Sequence, residues 1–63
     1  MVVNMHSKHE IICQAIFNLD ANAKFNLIDD DIDNITWYTS QISKSDIEAE
    51  LTNAETTLDN KIT

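Results

Sequence analysis

Neither glycine nor proline occurs anywhere in the 63 residues. That absence constrains the chain more than any motif it carries. Every reversal has to be made by residues with a Cβ, so a left-handed backbone position falls to Asn or Asp. Phosphate-cradling loops, dinucleotide fingerprints and nucleophile elbows need glycine where the backbone meets a ligand or turns sharply. None of them can be built here.

The length allows one domain, residues 1–63. A chain of this size buries only about 60% of its unfolded surface and is marginal on its own. Small domains are rescued by disulfides, a metal or a partner. The lone Cys13 cannot close an internal disulfide and fits a cytosolic or virion-interior setting. A partner, or a second copy, becomes the leading expectation.

Charge narrows the partner. Eleven acids against four bases give a formal charge of −7. Four scattered lysines cannot track a phosphate backbone, so nucleic acid is not an expected ligand. No apolar run approaches the roughly 18 residues of a spanning helix, and no membrane is expected. Residues 1–6 form a short arm without the basic and apolar regions of a signal peptide. Val2 and Val3 within it are candidates for adding a strand to a sheet edge.

Ser7-Lys8-His9-Glu10 reads as a capping box, Ser7 accepting from the N–H of residue 10 and Glu10 reaching back to the N–H of residue 7. A helix over 8–19 follows. Ile11, Ile12, Cys13, Ala15, Ile16, Phe17 and Leu19 cover most of its circumference, which predicts cover on more than one side. Only Glu10, Gln14 and Asn18 form a polar strip. The exit turn is Asp20-Ala21-Asn22, with Asn22 the expected left-handed residue. Segments 24–28 and 34–38 alternate, with Phe25, Leu27, Ile35 and Trp37 on one face. They flank Asp29-Asp30-Asp31-Ile32-Asp33, a hairpin in which Asp stands where Gly is usual.

The second helix has the stronger start. Ser43 is its N-cap, Asp46 its third-position acid, and Ile42 and Ile47 form a hydrophobic staple. It should run over 44–62, about 28 Å, with an apolar stripe of Ile47, Leu51, Ala54, Leu58 and Ile62. A strand of five residues spans only about 17 Å, so this helix should overrun the hairpin and present Leu58 and Ile62 outward.

The chemistry-bearing residues do not assemble into a motif. His9 and Cys13 share a helix face, but zinc needs a third and fourth ligand, and His6 lies before the cap. Cys13 and both histidines read as core and near-surface residues respectively. Cys13 sits mid-helix, where no free N–H can serve an oxyanion. Asp29, Asp31 and Asp33 resemble the start of a calcium loop, yet positions six and twelve are Asn34 and Ser40 instead of Gly and Glu. The acidic turn reads as a solvated, edge-blocking loop. No cofactor is indicated. Trp37 is expected in the core. Tyr38, on the opposite strand face, is a candidate interface anchor.

Three stretches carry a family resemblance: Leu19-Asp20-Ala21-Asn22-Ala23-Lys24-Phe25, Ile35-Thr36-Trp37, and Ile42-Ser43-Lys44-Ser45-Asp46-Ile47-Glu48-Ala49-Glu50-Leu51. Together they resemble small proteins of tailed bacteriophages, notably marine ones, and more loosely the XkdW-like prophage proteins. The resemblance covers roughly residues 12–55. The chain departs from that pattern in lacking a Pro before Asn22 or before the second helix, and in its N-terminal arm. The resemblance implies a virion or tail accessory part and brings no catalytic residue with it.

The expectation is therefore an α+β miniature of order α-β-β-α, the first helix packed on the hairpin face. Its function is expected to be non-enzymatic: a phage component, in the virion or host cytoplasm, that self-associates or docks on another phage protein. Tyr38, Leu51, Leu58 and Ile62 are the interface candidates. A second expectation, from a different class, is an acidic inhibitor or nucleic-acid mimic that binds a host protein through Asp29, Asp30, Asp31 and Asp33.

Overall fold

A computed structural model describes residues 6–62, and their side chains from 6 to 60. The arm before His6, with Val2 and Val3, and the side chain of Ile62 lie outside the described residues. The element order is α1 (Lys8–Leu19), β1 (Phe25–Leu27), β2 (Ile35–Trp37) and α2 (Lys44–Ile62). This is the α+β arrangement expected from the sequence.

Both helices start at a serine. The Ser7 hydroxyl accepts from the Glu10 N–H at 3.1 Å, and the Ser43 hydroxyl accepts from the Asp46 N–H at 3.3 Å. Each satisfies a backbone donor that the first turn leaves without a helical partner. The reciprocal half of the first box differs from expectation. Glu10 accepts from the Ser7 hydroxyl at 3.3 Å instead of from the backbone N–H of residue 7. The same side chain holds the turn, through a different donor.

The strands pair antiparallel with Phe25 opposite Trp37, Asn26 opposite Thr36 and Leu27 opposite Ile35. They are shorter than the alternating segments, although backbone bonds from Ile28 N–H to the Asn34 carbonyl and from Tyr38 N–H to the Lys24 carbonyl flank the ladder. The register puts Phe25, Leu27, Ile35 and Trp37 on one face, all packed against the core. Phe25 stacks at a tilt on Trp37 and on Phe17 of α1, with ring centroids 5.6 and 5.4 Å apart. Such tilted contacts are a favoured aromatic geometry.

The left-handed backbone is not at Asn22. Among the described residues only Asp29 and Asp30 have positive φ, each 55°. They are the central pair of a turn closed by Asp31 N–H to the Ile28 carbonyl at 3.1 Å. Two successive left-handed residues match the right-handed twist of the flanking strands. A second turn, from Asn34 N–H to the Asp31 carbonyl at 2.8 Å, completes the loop.

The buried core is Ile12, Ala15, Ile16, Ala23, Leu27, Ile47 and Ala54. Ala15 and Ala54 are wholly inaccessible. Small side chains at these two positions let the helices lie close, and the helix–helix packing is the principal tertiary contact. The polar strip of α1 also faces α2. Gln14 donates to Asn18, and Asn18 donates to Glu50 at 3.1 Å and to Thr57 at 3.4 Å. The first helix is not covered all round, however. Phe17 and Leu19 both remain 42% exposed. Ile12, Ala15 and Ile16 occupy the side that α2 and the hairpin can reach, and a 63-residue chain has no third layer for the other.

Candidate functional site

An open apolar groove of about 440 Å³ forms where α1, α2 and the hairpin loop meet. Ile11 and Ile12 of α1, Leu51 of α2 and Ile32 of the loop supply its apolar lining, and Lys8, Glu48 and Glu55 its charged rim. Ile32 is the one apolar residue among four aspartates. It leaves its loop to pack on the core, which the acidic surroundings hid at the level of sequence. Leu51 is half-buried and stands in the groove, as its place on the α2 stripe predicts.

Farther along α2, Leu58 is less open than the sequence suggests. Leu58 is half-buried. Next to it, His6 Nε2 donates to Asp59 Oδ1 at 2.6 Å. His6 is half-buried and lines the open groove, its side chain 8% exposed. The segment before α1 therefore reaches the distal part of α2, which the sequence left without an intrachain partner. Leu51 and Tyr38 do not share one patch: Leu51 lines the groove and Tyr38 lies elsewhere.

Tyr38 is 70% exposed. It belongs to a second open face, of about 390 Å³, with His9, Cys13 and Phe17 of α1, Lys24 just before β1 and Phe25 of β1. No carboxylate lines this face. The Cys13 thiol there is pushed above its ordinary pKa by burial, and further by the nearby Asp30 charge. A thiol held protonated is a poor nucleophile and a poor metal ligand at neutral pH. Phe17 was the element missed here. Its signal was the excess of apolar residues around α1.

The four loop aspartates are all exposed, but the carboxylates of three are engaged. Asp30 Oδ1 accepts from His9 Nδ1 at 2.9 Å. Lys44 Nζ lies 3.0 and 2.9 Å from the two Asp33 oxygens, and this contact raises the Lys44 pKa. Asp31 accepts from the Asp33 N–H at 2.9 Å. The His9 and Lys44 contacts tie the loop to both helices, and Lys44 offsets part of its charge. No cluster of three or more His, Cys, Asp or Glu positioned for a metal ion occurs among the described residues. A third, small cleft of about 130 Å³ lies beside Trp37 and Ile42, well below the few hundred Å³ usual for a small-molecule site. No described helix is long and apolar enough to cross a membrane.

No family model, no curated protein and no solved structure matches this chain.

Proposed function

We propose that this chain is a non-enzymatic interaction protein, a small structural component of a tailed-phage virion or tail that works by oligomerisation or docking. The open groove lined by Ile11, Ile12, Ile32 and Leu51 is the observation that carries this reading. Apolar surface collected in a concave, charge-rimmed patch is the usual mark of an interaction site. The small core, in which three of the seven buried residues are alanines, adds a stability motive for a partner. The phage assignment rests on the resemblance of the 19–25, 35–37 and 42–51 stretches, and virion or host cytoplasm follows from it.

The test is molar mass by light scattering from micromolar to millimolar chain. Wild type should exceed the monomer mass, and Leu51→Asp should return it to monomer while keeping its helical circular dichroism. A wild type that stays monomeric removes self-association and leaves docking onto another phage protein.

A second reading is an acidic inhibitor that contacts a host protein through Asp29, Asp30, Asp31 and Asp33. The exposure of its four aspartates favours it. The Lys44 contact weakens it, because it neutralises part of the field a basic partner would feel. Binding of this kind would fall steeply with salt and with Asp29→Asn plus Asp31→Asn, and would be indifferent to Leu51→Asp.

A further inference from the structure

We infer that the partner is a second copy of this chain, bound head to tail: the aromatic face around Tyr38 of one copy seats in the Leu51 groove of the next. The inference rests on the interaction reading above and specifies its occupant.

Geometry comes first. At 100° per residue, His9, Cys13 and Phe17 stand on one side of α1. Lys8, Ile11 and Ile12 stand on the other. The two sides are roughly 150° apart around the axis. The aromatic face and the groove are thus nearly opposite surfaces of the molecule, divided by α1 itself. A contact between unlike, opposed surfaces leaves a free copy of each at the two ends of a dimer. It extends to a ring or a filament.

Charge selects the same pairing. The chain carries −7, so two copies repel over most of their surfaces. The aromatic face carries Lys24 and no carboxylate in its lining, with Asp30 at its edge on His9. The groove rim carries Glu48 and Glu55, two turns apart on α2, against a single lysine, Lys8. Face against groove sets Lys24 toward these glutamates. Groove against groove would bring four of them together with only the two Lys8 side chains to offset them. Like charges brought together discriminate strongly against the wrong orientation. Both surfaces also offer the apolar area that a contact needs, with Tyr38 and Phe17 as the protruding rings.

Two variants and their mixture test this by sedimentation velocity. Phe17→Ser with Tyr38→Ser disables the aromatic face, and Glu48→Lys with Glu55→Lys reverses the groove rim. All four side chains are exposed, and thermal melts of each variant establish that it folds. Wild type should pass beyond dimer as concentration rises. Each variant alone should associate at least about tenfold more weakly, roughly 1.4 kcal/mol. An equimolar mixture should recover a one-to-one dimer and stop there, because one chain keeps only its groove and the other only its face. If either variant alone assembles like wild type, or the mixture stays monomeric, head-to-tail pairing is overturned and the interaction reading survives. A wild type that is monomeric throughout overturns self-association in every form.

Discussion

The chain reverses direction at two places without glycine, and the two solutions differ. After α1, Asp20 does the work with its own groups while the backbone stays at negative φ. Its N–H donates to Ile16, its carboxylate accepts from the Asn22 N–H at 3.0 Å, and its carbonyl accepts from Ala23. At the hairpin, Asp29 and Asp30 instead enter the left-handed region together. The difference follows from what each turn must join. Ending a helix requires only that donors and acceptors be met, which one aspartate side chain can do. Joining paired strands fixes the twist as well, and only a turn with two positive φ angles supplies it. A left-handed residue with a Cβ costs about 1–2 kcal/mol, less for Asp with its local hydrogen bonds.

Four substitutions would break or sharpen that contrast. Asp29→Val puts a β-branched residue at φ 55° and should cost about 2 kcal/mol, a fall in Tm of roughly ten degrees for a domain this small. A Tm unchanged within two degrees would mean the turn adopts other angles. Asp20→Ala removes the acceptor for Asn22 and should cost about 1 kcal/mol in a denaturant titration. A glycine pair reads the sign of φ directly. Asp29→Gly should stabilise by up to about 1 kcal/mol, whereas Asn22→Gly should destabilise by about 0.5 kcal/mol, since only the first position uses the freedom glycine brings. If both shift the same way, the left-handed assignment is wrong.

The smallest effect concerns the link from the loop to α2. The Asp33 contact raises the Lys44 pKa, so the folded chain binds that proton more tightly than the unfolded one. Its contribution is therefore complete below the ordinary lysine pKa and is lost as pH rises through the raised value. Wild type should lose a little Tm as pH rises past the ordinary lysine pKa of 10.5 that Lys44→Met does not lose. High salt should shrink the difference, both groups being exposed.

The elements themselves were legible because each has a strong local signature. Serine caps followed by acids marked both helix starts, and alternation in 24–28 and 34–38 marked the hairpin and its inner face. What stayed hidden depended on tertiary neighbours. Asn22 has the better intrinsic preference for a left-handed site, but strand twist decided the matter at Asp29 and Asp30. Ile32 looked like part of a solvated loop until the fold brought the core to it. His6 lay outside any helical pattern, so nothing local linked it to Asp59. Of the interface candidates, Tyr38 and Leu51 were readable from the strand face and the helix stripe. That they lie on separate surfaces, with Phe17 beside Tyr38, needed the packing of α1.

The His6–Asp59 contact has a kinetic meaning. It joins residues 53 apart in the chain, and closing a loop of that length costs about 3.5 kcal/mol in entropy beyond a constant term. A single hydrogen-bonded pair is worth far less than that. The contact can therefore form only after α1 and α2 have packed, late on the way to the native state. Replacing His6 with alanine should accelerate unfolding and leave the refolding rate almost unchanged. Chevron plots of the two chains would then share one folding limb, and a slower refolding limb in the variant would place the pair in the folding nucleus instead.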